Sequence, residues 1–172
     1  MSNVPSFDEL LDSAQHQALH LEMRDHYGVD EEADTVGAWR ESGVVPAVDS
    51  AFWKPWVELV QRTVARGVAV RRARVVSEPV TEYIRFEHAI TGANLYAGEQ
   101  VRWLPRARAS HLMLPGNDFW LIDDRVIRFN IFSGDGKAEE PQASWDAGVI
   151  KQCTDAFETV WELGIDHEQY AV

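Results

Sequence analysis

Residues 66–76 read Arg66-Gly67-Val68-Ala69-Val70-Arg71-Arg72-Ala73-Arg74-Val75-Val76, and the alternation along them decides the fold class. Side chains of an extended chain point alternately to its two faces. Val68, Val70, Arg72, Arg74 and Val76 therefore share one face, and Ala69, Arg71, Ala73 and Val75 share the other. This predicts a strand whose arginines reach a rim or a partner. Just upstream, Phe52, Trp53, Trp56, Leu59, Val60 and Val64 recur at helical spacing in a segment that Ser50 begins. Pro55 suits the first turns of that helix and Gly67 its stop. Helix passes directly into strand.

Working outward, Ser6 and Glu9 have capping-box spacing ahead of Phe7, Leu10, Leu11 and Ala14, which predicts a first helix to about Gln15. In Ala18–Met23, Leu19, Leu21 and Met23 alternate with Ala18, His20 and Glu22, the period of a strand. Residues 25–34 read as an acidic loop, followed by a short helix from Thr35 to Glu41 that ends near Gly43. Ser77 is placed to cap a helix through Val80, Tyr83, Ile84 and Glu87. A strand over Gln100–Leu104 follows Gly98, and Pro105 ends it before the basic loop at Arg106 and Arg108. Asp118–Ile122 and Arg125–Phe132 read as a hairpin around Asp123 and Asp124. Gly134-Asp135-Gly136 is a turn, Glu139-Glu140-Pro141 an acidic linker, and Val149, Ile150, Cys153, Phe157, Val160 and Trp161 mark a last helix that stops at Gly164. The expectation is an α/β fold, one domain with a mixed β-sheet flanked by helices.

Charge is distributed unevenly. The net charge is -12, yet residues 62–128 hold 11 Arg against 7 acids, while residues 1–61 hold 12 acids against 3 bases and residues 129–172 hold 9 against 2. Either the basic middle ties down the acidic flanks, or it forms an anion-binding face within an acidic surface. A pI near 4.8 opposes direct, nonspecific binding of nucleic acid or anionic lipid. No run approaches a membrane span and the first residues lack signal-peptide order, so the expected location is the cytoplasm. The lone Cys153 lies on an apolar stripe and reads as packing.

The leading candidate site is the polar set at the tips of the later strands, because ligands bind at strand ends of open α/β sheets. It comprises Arg102, Arg106, Arg108, Asn117, Asp118, Asp123, Asp124, Arg125 and Asn130, with turn chemistry and salt bridges as the bland alternative. Trp120 and Trp103 are possible ligand platforms. His20 and Glu22, on one strand face, form a weaker metal-ligand pair with Asp25, near His26, although the spacing matches no closed zinc pattern. His88, His111 and His167 are scattered. No phosphate-binding glycine loop, dinucleotide fingerprint or C-x-x-C is present, and no cofactor is expected.

The strand at 66–72, the Gly98-Glu99-Gln100-Val101-Arg102-Trp103-Leu104-Pro105 strand and the Phe119–Ile127 hairpin together resemble one phospholipase D-like unit over about residues 50–165. Residues 1–49 would precede that core and 166–172 form a tail. The phrases HLEMRDHYG, VSEPVTEYIRFEH, VRWLPR and LPGNDFWLIDD resemble an uncharacterised family of high-GC bacteria, whose members are often encoded beside helix-turn-helix regulators. In the phospholipase D superfamily a His attacks phosphorus and a Lys two residues on holds the phosphate charge. Aligned on Asp123-Asp124-Arg125-Val126, those positions here are Gly116 and Asp118; using His111 instead breaks the hydrophobic spacing.

The resemblance therefore implies a non-catalytic regulatory or sensing module. It would bind a small anionic ligand, a helix-turn-helix regulator protein, or both, and a homodimer follows by analogy. The alternatives are a divergent phosphodiesterase or nuclease, using His111 or a metal held by His20, Glu22 and the late aspartates, and a toxin–antitoxin-type partner.

Overall fold

The alternating stretch becomes strand β2 (Ala69–Val76), an interior strand of a seven-stranded mixed sheet. The structure, a computed structural model, describes residues 4–28 and 32–172. Strand β1 (Gln17–Glu22) and strand β3 (Gln100–Pro105) flank β2, both parallel to it. Parallel neighbours require a crossover. Helices α2 (Ala33–Ser42) and α3 (Lys54–Ala65) make the first, and α4 (Glu82–Ile90) and α5 (Gly92–Ala97) make the second.

Strand β4 (Asp118–Ile122) runs antiparallel to β1 and continues into β5 (Val126–Asn130) and β6 (Gln142–Ser144), while β7 (Ile165–Asp166) closes the far side on β3. The order is β6-β5-β4-β1-β2-β3-β7. Helix α1 (Phe7–Ser13) precedes β1, and α6 (Ala147–Leu163) precedes β7.

Period-two alternation gives the sheet two unlike faces. On one, Leu19, Leu21, Ala73, Val75, Leu104, Phe119, Leu121 and Ile127 are covered by Ile150, Cys153, Phe157 and Val160 of α6. On the other, Val70, Val76, Val101, Trp103, Trp120 and Ile122 pack under residues of α1, α3, α4 and α5, among them Leu10, Val60, Ile84 and Phe86. Cys153 is a packing residue on the first face, and burial pushes its thiol up to about 11.

Local chemistry accounts for the element ends. Ser6 and Glu9 form both halves of the capping box of α1: Ser6 N donates to Glu9 Oε2 (2.8 Å) and Glu9 N to Ser6 Oγ (3.2 Å). Asp146 caps α6 by accepting from Val149 N. Asp123 and Asp124 carry φ of 52° and 50°, the left-handed centre of a turn that Arg125 N closes on Ile122 O (2.9 Å) between β4 and β5. Gly98 ends α5 at φ 108°, where a Cβ would also come within 3.2 Å of Val64.

Several expectations need correction. The cap of α4 is Thr81, whose hydroxyl accepts from Ile84 N, whereas Ser77 is held by Asp25. Residues 50–53 form a turn ahead of α3, and α1 ends at Ser13. The short elements α5, β6 and β7 carried too few periodic residues to be read. Arg72 and Arg74 reach neither rim nor partner: they lie inside, 8% and 4% exposed. The tail packs, with Tyr170 stacked on Trp103 at 5.4 Å. Part of the acidic loop, residues 29–31, lies outside the described residues. No helix among the described residues is long and apolar enough to cross a membrane.

Candidate functional site

The register of the sheet builds the site. Trp120 of β4, His20 of β1 and Arg72 of β2 stand opposite one another in one row across the sheet. In the next row Glu22 faces Arg74, Arg74 faces Trp103, and Asp118 faces Asn130. All but Trp103 line a cavity of about 630 Å³ beneath the helices of the two crossovers.

The charged groups are interlocked. Arg72 donates from Nε to Glu99 Oε2 (2.8 Å), from Nη2 to Glu99 Oε1 (3.2 Å) and from Nη1 to Glu22 Oε1 (2.9 Å). Its guanidinium lies 5.7 Å from the Trp56 ring and 5.6 Å from the Trp120 ring. Arg74 donates to Glu22 Oε2 and to Thr91 Oγ1, and lies over Trp103 at 4.8 Å. Glu99 also accepts from Trp56 Nε1 and Asn94 Nδ2. His20 stacks on Trp120 at 4.2 Å, with Nδ1 2.8 Å from the Phe119 carbonyl and Nε2 3.0 Å from Glu22 Oε1. Both ring nitrogens face acceptors. Tyr27 Oη donates to Asp118 Oδ2, and Met23 N donates to Asp118 Oδ1 (2.8 Å).

Burial and pairing divide the carboxyls. Burial would raise Glu22 and Glu99, but Arg74, Arg72 and His20 hold Glu22 well below the ordinary carboxylate range, and Arg72 with its hydrogen bonds lowers Glu99. For Glu87 burial prevails over Arg74 and pushes the carboxyl up to about 8. Asp118 is likewise pushed up to about 6, against the Tyr27 hydrogen bond. Burial also raises the Tyr27 and Tyr83 phenols well above the usual range. Three buried atoms of residues lining the cavity have no hydrogen-bond partner: Glu87 Oε2, Asn94 Oδ1 and Trp53 Nε1.

Of the residues predicted from sequence, the fold brings Asp118, Trp120 and Asn130 to this cavity together with His20 and Glu22. It does not bring the others there. Arg102 binds Asp166 and the Trp161 carbonyl. Arg106 binds the Met23 and Val75 carbonyls and Ser77. Arg108 is exposed in the turn after β3. Arg125 binds Ser13, and Asp124 accepts from Thr154. Asp123 accepts from the backbone N–H groups of Gln15, His16 and Gln17, which ties the hairpin to the start of β1 and holds its carboxyl low despite burial. Trp103 is covered by Arg74 and Tyr170 and donates to His167 Nδ1.

Asp25 holds Ser77, apart from His20 and Glu22, and among the described residues no three His, Cys, Asp or Glu side chains form a metal-binding group. Asn117, Gly116 and His111 line a second cavity of about 720 Å³ beside α6.

Sequence reasoning missed Arg72, Arg74, Glu87, Asn94 and Glu99 as members of the site. A signal existed. Arg72 and Arg74 share a face with Val70 and Val76, and Glu87 lies on the Tyr83–Ile90 stripe of α4, so charges occupied positions whose neighbours called for burial.

The mixed sheet, its two crossovers and the antiparallel hairpin beside β1 define a protein of phospholipase D-like fold. Two solved structures share it at low identity. Nuc from Salmonella typhimurium, a phospholipase D family member, is 11% identical with a TM-score of 0.50, over 92% of this chain and 86% of that one. NucT from Helicobacter pylori is 11% identical with a TM-score of 0.53, over 92% of this chain and 87% of that one. The chain belongs to the family described as a domain of unknown function, DUF6879, whose model matches residues 5–172. No curated protein matches it.

Proposed function

We propose that the chain is a non-catalytic ligand-binding module: a phospholipase D-type scaffold whose interior pocket captures a small molecule and reports its presence to a protein partner. One observation carries this reading. The imidazole of the pocket, His20, is already engaged at both ring nitrogens. A nucleophilic imidazole needs a free lone pair aimed at open space. At the position where the resemblance calls for a phosphate-holding lysine stands Asp118, whose charge has the wrong sign for that task. Gly116, at the histidine position, has no side chain to attack with.

The acidic outer segments support a basic partner, such as a helix-turn-helix regulator, because opposite surface potentials speed and orient association. The second reading, a divergent phosphodiesterase, rests on the fold shared with Nuc and NucT and requires His20 or His111 to act.

One experiment separates the two. The purified chain is incubated with bis(p-nitrophenyl) phosphate and with single-stranded DNA, with and without Mg²⁺, Mn²⁺ or Zn²⁺, and native mass spectrometry of the same preparation records what copurifies. The expected result is no turnover above the blank, with a small molecule or a protein bound at fixed stoichiometry. Turnover that disappears in His20→Ala or His111→Ala sinks the proposal.

A further inference from the structure

We infer that the interior pocket selects a small planar aromatic cation, such as a ring bearing an amidine, an amine or a protonated ring nitrogen, over an anion of the same shape. The inference rests on the reading of this cavity as a binding site and adds the chemistry of its occupant.

The arginines are the obvious reason to expect an anion, and their geometry removes it. Arg72 has donors of all three nitrogens on Glu99 and Glu22, and Arg74 has its Nε on Glu22 and an Nη on Thr91. An incoming carboxylate or phosphate would compete with Glu22 and Glu99 for guanidiniums whose charge they already balance, and would leave those buried carboxylates short of a partner.

What the wall leaves open has the opposite polarity. Glu87 and Asn94 are 7% and 2% exposed, and Glu87 Oε2 and Asn94 Oδ1 have no donor. The Asn94 amide is oriented, since its Nδ2 donates to Glu99 at 2.8 Å and leaves Oδ1 as the open end. Glu87 Oε2 has only a 3.6 Å approach from Arg74 Nε, beyond hydrogen-bond length. Of the three unpartnered atoms, two are acceptors and one, Trp53 Nε1, is a donor. Burial raises Glu87 to about 8, the behaviour of a buried acid with too few donors, and a ligand cation would supply them.

The local charge agrees. Glu22 and Asp118 on the cavity wall, with Glu99 directly behind Arg72, outnumber the two guanidiniums of Arg72 and Arg74. A further negative charge would join the more numerous sign at low dielectric. The rest of the wall is aromatic: Phe52, Trp53, Trp56 and Tyr83 offer ring faces that stack on a planar ligand and attract a cation by their quadrupole. A volume of about 630 Å³ lies in the range of small-molecule sites and holds a bicyclic ring with its substituent.

The test uses two probes of one shape and opposite charge, benzamidine and benzoate, titrated into the ¹⁵N-labelled full chain while the indole N–H resonances of Trp53 and Trp56 are followed. Benzamidine is expected to shift both resonances with fragment-scale affinity, about 1 mM, and to bind about tenfold or more tighter than benzoate. Glu87→Gln keeps the shape and removes the carboxyl that a bound cation would ionise, and is expected to weaken benzamidine about tenfold without changing benzoate. Trp53→Phe keeps a ring in place and gives a second, independent reduction. Benzoate binding as tightly as benzamidine, with the same resonances moving, overturns the cation preference and leaves the binding site standing. If neither probe moves Trp53 or Trp56, both the preference and the binding-site reading fall.

Discussion

The two faces of this sheet are built from the same strands and differ in almost everything else. Beneath α6 the strands present an apolar centre, in which Leu19, Leu21, Phe119, Leu121, Ile127 and Phe157 are sealed to 0% exposure, and charge enters only at its margin, where Arg71 pairs with Glu158 and Arg102 with Asp166. One residue further along each strand, on the opposite face, come His20, Arg72, Arg74 and Asp118, buried almost as deeply. A face that needed only to hold the helices would be better served by apolar residues, since buried ion pairs rarely stabilise more than hydrophobic replacements of the same size. On the function proposed above, the dry face does the work of stability and the charged face that of recognition.

The largest effect should come from breaking the charged face at its centre. Arg74→Leu leaves Glu22 and Glu87 short of a cation and should cost roughly 3–5 kcal/mol of unfolding free energy in a denaturant titration. A loss below about 1 kcal/mol would mean that the pairing is dispensable. On the dry face, Leu121→Ala removes a side chain at 0% exposure and should cost about 3 kcal/mol while leaving probe binding in the pocket unchanged. If binding falls with stability, the faces are not separable as argued.

The smallest effect, and the most specific, is a slope. Glu87 holds its proton in the folded state up to about pH 8, whereas its ordinary value is 4.5, so between these limits the folded chain binds more protons than the unfolded one. Stability contributed by this group is present at low pH and lost as the pH rises towards 8. Asp118 acts in the same direction between 3.8 and about 6. Glu22 and Glu99, lowered by their arginines, act oppositely and lose their contribution as the pH falls below the ordinary carboxylate value. The unaltered chain should therefore lose melting temperature between pH 6 and 8, and Glu87→Gln should flatten that decline. An unchanged decline would assign it to other groups.

Much of the fold was legible in the sequence. Residues 118–122 were read as a strand with the observed ends, because five buried residues between a polar run and an Asp-Asp corner admit no other local solution. Helix α6 and strand β2 were read from apolar spacing alone, and both lie close to their predicted limits. The site was legible only in part. His20 and Glu22 were paired correctly on one strand face, but the expected arginines, Arg102, Arg106 and Arg125, bind their own neighbourhoods instead. Turn residues and basic side chains at strand ends look alike whether they hold a ligand or a backbone carbonyl.

The sequence by itself determined which residues alternate and which helices have an apolar side, since each of these depends on near neighbours along the chain. Only the tertiary structure decided that Arg72 and Arg74 are locked to Glu22 and Glu99, and that Glu87 and Asn94 keep open acceptors beside the cavity. These groups lie on separate strands and helices up to 77 positions apart (Glu22 to Glu99), and their charge states follow from burial and partners that exist only once the sheet has assembled.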